Sequence, residues 1–155
     1  MANRGDQTVI TNRKARHEYY VLETYECGVV LVGAEVKSIR SGHANLQDTY
    51  ARVEDGEVWL HGMHISPYAF SRGDLDPVRK RKLLLNRKEI TEVTRATEEK
   101  GVTLVPMRVY FKDGRCKVEI ATARGKARYD KRQAIAARDA RRETERDLKE
   151  MQRNR

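Results

Sequence analysis

At 155 residues with a net charge of +9, the chain has room for one domain with a real core plus an extension, and not for two domains. Residues 124–155 hold 12 basic and 6 acidic side chains and so carry +6 of that total, which points to a polyanionic partner, nucleic acid or an acidic membrane surface, with nucleic acid favoured by the way the charge is distributed. The N-terminus has no apolar leader and the longest apolar run is Val29 to Val32, so neither a signal sequence nor a membrane span is expected and the protein reads as soluble and cytoplasmic.

In chain order, residues 1–11 read as a flexible leader. Asn12-Arg13-Lys14-Ala15-Arg16-His17 opens the ordered part with three cations in four positions, and Tyr19 to Leu31 is rich in strand formers. The glycine of Glu26-Cys27-Gly28 predicts a bulge or sharp bend in that strand, as in small closed barrels. Val32, Val36 and Ile39 fall at helical spacing with Gly42 as the stop, giving a short helix whose Glu35, Lys37 and Arg40 face out. A hairpin turning on Asp55-Gly56 pairs Val53 with Val58 and Ala51 with Leu60 on one face. Its other face pairs Tyr50 with His61 and Arg52 with Trp59, the latter offering a cation–π contact.

Pro67 to Pro77 has no period and reads as a surface loop. Arg79-Lys80-Arg81-Lys82 runs into Leu83-Leu84-Leu85, and Asn86 with Glu89 marks a helix start. The buried stripe of that helix is Ile90, Val93 and Thr97, and Gly101 ends it. A second hairpin turns on Asp113-Gly114, pairing Phe111 with Cys116, Val109 with Val118 and Met107 with Ile120 on an apolar face. Lys112 with Arg115, Tyr110 with Lys117 and Arg108 with Glu119 form its open, cationic face. Residues 133–155 are rich in helix formers, yet their only large apolar side chains are Ile135, Leu148 and Met151. Such a tail is expected to be disordered when free and helical on a partner. The whole is α+β, mainly β: a small closed antiparallel β-barrel of oligonucleotide-binding type with two to three short helices. It divides into a leader (1–11), an RNA-binding body (12–124) and a basic C-terminal tail (125–155).

Catalysis has no visible seat. His61 and His64 lack a second pair of ligands, and Cys27 and Cys116 lack CxxC spacing and read as reduced core residues. Gly125-Lys126 lacks the rest of a phosphate loop. No cofactor or metal is expected, and a small hydrolase working through His61 and His64 is the minor alternative. Binding has several candidates. The Arg79 to Lys82 cluster follows a phosphate backbone or forms a solvated loop. Tyr110 and Lys117 suit stacking beside a phosphate contact. Asn12-Arg13-Lys14 grips RNA or caps the first strand. Glu26 hydrogen-bonds a base edge, orients a neighbouring cation or makes a structural ion pair. Leu84 belongs to the core or meets a looped base.

Four blocks occur together: Asn12 to Tyr19, Gly33 to Gly42, Arg81 to Leu85, and Gly125-Lys126 to Asp130-Lys131-Arg132. In that order they closely resemble the SsrA-binding (small protein B) family. The resemblance implies an oligonucleotide-binding-like β-barrel that binds the tRNA-like domain of tmRNA as a 1:1 monomer and delivers it to stalled ribosomes for trans-translation. It places tmRNA contacts on Asn12, Glu26, Leu84 and Lys117, supported by Arg13, Lys14, Lys37, Arg40, Lys82 and Lys126. It places the tail in the empty mRNA path and decoding centre, with Tyr129 stacking on small-subunit rRNA and Asp130, Lys131 and Arg132 helping to license accommodation. The alternative from the residues alone is a general RNA-binding or ribosome-associated barrel not dedicated to tmRNA.

Overall fold

Two Asp-Gly turns set the sheet. In the computed structural model, which describes residues 7–68 and 75–153 apart from the side chains of Arg128 and Tyr129, β8 (Val102–Lys112) and β9 (Arg115–Gly125) turn on Asp113 and Gly114 with φ of 52° and 77°. β4 (Tyr50–Glu54) and β5 (Glu57–His61) turn on Asp55 and Gly56 with φ of 49° and 75°. Two consecutive positive φ values give the turn whose twist matches that of the strands, and Asp and Gly tolerate it best. The register of the first hairpin is the expected one throughout. In the second, Phe111–Cys116, Tyr110–Lys117, Val109–Val118 and Arg108–Glu119 pair as expected, but Pro106 rather than Met107 stands opposite Ile120. Proline has no N–H to give the ladder, and the register shift falls beside it.

The remaining strands close the sheet. β2 (Tyr19–Val29) lies along β9, and β7 (Arg81–Leu84) joins β2 to β5. The order β8-β4-β5-β7-β2-β9 returns to β8, a six-stranded antiparallel ring that realises the expected barrel-like fold. Its interior holds Cys27, Val58, Leu60, Leu83, Val109, Val118 and Ile120, and the same cluster takes Ile39 from α2 (Gly33–Arg40) and Val93 from α3 (Arg87–Glu98). Asn86 and Glu89 form the expected reciprocal cap on α3. Burial pushes the thiols of Cys27 and Cys116 up to about 12. A two-residue ladder, β3 (Ala44–Asn45) with β6 (His64–Ile65), lies outside the ring.

Several expectations change. Residues 1–6 of the leader lie outside the described residues, but Gln7–Thr11 forms β1, paired with β8. Arg13–Glu18 is a short helix, α1, too brief to show a period. β2 shifts register at Val21/Glu23, not at Glu26-Gly28. Glu35 does not face out: it is 3% exposed, while Val32 of the expected stripe is 44% exposed. The reason is Arg81, itself fully buried, whose Nε donates to Glu35 Oε2 at 2.7 Å while Arg79 holds the same carboxylate. Arg81 also donates to the carbonyls of Met63 and Pro77 at 2.5 and 3.0 Å, so every end of this buried pair is satisfied. The basic run is thus half structural rather than a solvated loop. Lys80, not Arg52, covers Trp59, at 4.5 Å. The loop after Ser66 lies in part outside the described residues. α4 (Lys126–Arg153) follows β9 directly.

Candidate nucleic-acid interface

The β2–β9 ladder has two ends, and the expected contact residues divide between them. At one end Leu84 stands opposite Gly28, Gly28 opposite Lys117, and Lys117 opposite Tyr110, a row across four strands of the ring. Glycine is needed here for space: a Cβ on Gly28 would lie 3.3 Å from the Leu84 Cβ. Leu84 therefore leans over Gly28 and stays 50% exposed, outside the core. Lys82, two residues back on the same face, pairs with Glu57 at 3.6 Å.

Glu26 shares that face, two residues before Gly28. Its Oε1 accepts from the Tyr110 hydroxyl at 2.6 Å and from Lys112 Nζ at 3.5 Å. The Tyr110 hydrogen bond holds its carboxyl below the usual range against the opposing effect of burial, and Lys112 and Lys117 add to the lowering. Glu26 is accordingly an ionised acceptor fixed in one orientation. Tyr110 corrects the reading of it as an open stacking platform. It is 2% exposed, because Arg108 lies 4.0 Å over its ring and β1 pairs alongside at Thr8. Burial and the Glu26 contact raise its phenol pKa, so it braces the acid instead of meeting a base. Arg40 sits on the flank of the same hairpin, 4.5 Å over Phe111 and donating to the Gly114 carbonyl at 3.1 Å. Lys37 lies elsewhere, 5.3 Å from the Tyr68 ring.

The other end pairs Tyr19 with Gly125, about 25 Å along the strands from Lys117. Asn12 is a cap of α1 rather than of the first strand. Its Oδ1 accepts from Ala15 N at 3.1 Å and its Nδ2 donates to the Pro106 carbonyl at 2.9 Å. Arg13 and Lys14 follow it, exposed. Lys126 Nζ donates to the Arg16 carbonyl at 3.3 Å and lies 5.3 Å over Tyr20, whose hydroxyl donates to Asp130 Oδ1 at 2.8 Å. Arg124 pairs with Glu99. Lys131 and Arg132 are exposed, and the Tyr129 side chain lies outside the described residues. The Tyr20–Asp130 contact spans 110 positions in sequence and no local pattern announces it.

His61 and His64 do not act together: His61 Nε2 lies 2.8 Å from Glu54 Oε1 and its ring stacks on Tyr50, whereas His64 lies in β6. Among the described residues, no group of His, Cys, Asp and Glu is placed to hold a metal ion, and no helix is long and apolar enough to cross a membrane. The geometry offers an exposed leucine, a fixed anionic acceptor and flanking lysines on one side, and a cationic helix pair on the other.

Comparison with known proteins gives one answer. The profile of the family described as SmpB protein matches residues 9–150. The SsrA-binding protein of Desulforudis audaxviator is 57% identical over 92% of this chain and 94% of its own. That of Acetivibrio thermocellus is 53% identical over 97% of this chain and 98% of its own. A chain in a solved structure described as "tmRNA-SmpB: a journey to the center of the bacterial ribosome" is 48% identical and superposes with a TM-score of 0.65 over 76% of this chain and 83% of that one.

Proposed function

The chain belongs to the SmpB protein family, and on that footing we propose that it binds tmRNA and acts with it on the ribosome in trans-translation. It works by binding, in the cytoplasm, with no chemical step of its own. The body, residues 12–124, holds the tRNA-like domain as a 1:1 complex. Glu26, Leu84 and Lys117 make direct contacts, and Arg40 and Lys82 reach phosphates around them. Asn12 fixes α1 so that Arg13 and Lys14, with Lys126, meet the backbone at the far end, and Lys37 extends the cationic surface.

The observation that carries this reading is the Leu84–Gly28–Lys117 row with Glu26 pinned beside it. Folded RNA is read mainly through unstacked bases and backbone shape. An exposed leucine gives such a base an apolar seat, an ionised carboxylate accepts from its N–H edge, and a lysine answers the adjoining phosphate. Gly28 seats Leu84 and Tyr110 holds Glu26, so these two need not be ordered on binding.

The tail, residues 125–155, takes the vacant mRNA path, with Tyr129, Asp130, Lys131 and Arg132 at the decoding centre. α4 is exposed from Ala127 onward among its described side chains, so helix propensity sustains it rather than packing. It exchanges between helix and coil when free and settles in a phosphate-lined channel. Intact mRNA would fill that channel, so the tail reads its absence. Truncation after Arg124 tests the division: tmRNA affinity stays within about twofold and peptide tagging disappears, whereas loss of both activities would sink it.

A further inference from the structure

β4 and β8 meet at a single paired position, Ala51 with Leu104. Beyond it the two strands part, and α1 and the turn before β4 close over the opening, leaving a groove of about 430 Å³. That volume falls in the range of sites for small ligands, nucleotides among them. Its wall carries Arg13, Lys14 and Glu18 from α1, with Glu18 Oε1 4.0 Å from Lys14 Nζ, and Gln47, Asp48 and Tyr50 at the entry to β4. None of the direct contacts at Glu26, Leu84 and Lys117 lies in it.

Tyr50 is built as a platform. His61 stacks on one ring face, with centroids 5.1 Å apart and planes 11° from parallel, and His61 is itself fixed by Glu54 at 2.8 Å. With that face stacked on His61, Tyr50 is still 45% exposed. A preordered aromatic ring, an exposed cation at Arg13, a second at Lys14 shared with Glu18, and a side-chain amide in one groove form the set that single-stranded nucleic acid requires: a stack for the base, a charge for the phosphate, and a donor and acceptor for the base edge. We propose that this groove receives one unpaired RNA nucleotide, its base stacked on Tyr50 in continuation of the His61–Tyr50 stack, its phosphate met by Arg13 and Lys14, and its edge read by Gln47. The inference rests on the RNA-binding function above and adds a second seat to it.

The nucleotide comes from tmRNA or from ribosomal RNA, and two binding arms separate them. Affinity is measured for wild type, Tyr50→Ala and Tyr50→Phe, first with tmRNA alone and then for association of the tmRNA complex with ribosomes. Ultraviolet cross-linking with mass-spectrometric localisation accompanies both. Tyr50→Ala is expected to weaken one arm roughly tenfold, the scale of one lost base stack, while Tyr50→Phe keeps wild-type affinity and the wild-type cross-link lies on Tyr50. Weakening of the first arm identifies tmRNA as the source; weakening of the second alone identifies ribosomal RNA. Unchanged affinity of Tyr50→Ala in both arms, with no adduct on Tyr50, overturns the site. A Tyr50→Phe variant as weak as Tyr50→Ala overturns stacking as its basis. Failure of the wild-type protein to bind tmRNA would instead refute the functional reading. Thermal melts of both variants, expected within about 2 °C of wild type for a surface change, show that any loss is one of binding.

Discussion

The two ends of the β2–β9 ladder carry charged and aromatic side chains in similar number, yet they are made differently. At the Gly28 end Leu84 and Glu26 are placed by something that cannot easily move: Leu84 by a missing Cβ, and Glu26 by a tyrosine that is itself buried. At the Tyr19 end the contacts join exposed groups, Tyr20 to Asp130 and Lys126 to Arg16, across a surface open to water. Exposed pairs contribute little stability because solvent competes for both partners. The first end is therefore preorganised. The second is a docking point that can be made and unmade at small cost.

The largest effect is expected from what lies beneath the rigid end. Glu35→Ala leaves Arg81 charged and buried at the start of the strand that bears Leu84. Breaking such a pair costs about 3–5 kcal/mol, to be read by urea denaturation. The pH dependence of the wild type follows. Burial by itself would raise the Glu35 carboxyl, but hydrogen bonds from Arg79, the Val32 N–H and Arg81 outweigh it and leave the carboxyl below its ordinary value of 4.5. A depressed native value means that this contribution is complete above about pH 4.5 and is lost as the pH falls through the native value. The acid limb of the stability curve should flatten in Glu35→Ala.

Gly28→Val comes next. The added side chain meets Leu84 where even a Cβ has only 3.3 Å, so Leu84 must turn away. Overpacking of this kind costs about 1–3 kcal/mol, and tmRNA affinity should fall at least about tenfold, as for loss of one base contact. A filter-binding titration showing unchanged affinity would mean that Leu84 does not seat a base. The smallest effect belongs to the docking end. Tyr20→Phe deletes the hydroxyl that holds Asp130, with a cost of about 1 kcal/mol or less, unchanged tmRNA affinity, and faster amide exchange in the first turn of α4. A melting shift as large as that of Gly28→Val would erase the distinction between the ends.

What the sequence made legible follows the same division between local and distant causes. Both hairpins were readable because Asp-Gly dictates the turn and the turn dictates register, and the α3 cap because Asn86 and Glu89 lie three residues apart. Leu84, Lys117 and Glu26 could be singled out, but that they form one surface depends on Gly28 having a neighbour on each side. Tyr110 was misread because alternation alone leaves it on the open face, and neither β1 nor Arg108 over its ring is visible locally. Glu35 was misread for the same reason, its partner Arg81 lying 46 positions away. Helical periodicity assigns faces to a helix in water; it does not know that a buried arginine is waiting.

The junction of β9 and α4 has no spacer: Gly125 closes the strand and Lys126 opens the helix. A flexible linker would let the tail swing as a flail. Here, once its first turn is wound, a rod of 28 residues, about 42 Å long, is coupled straight to the sheet, and rotation of the body is transmitted to its tip as torque. A first turn that stays helical couples the tail to the body and one that unwinds releases it, so whether the tail acts as a rod is decided within a few residues of Gly125.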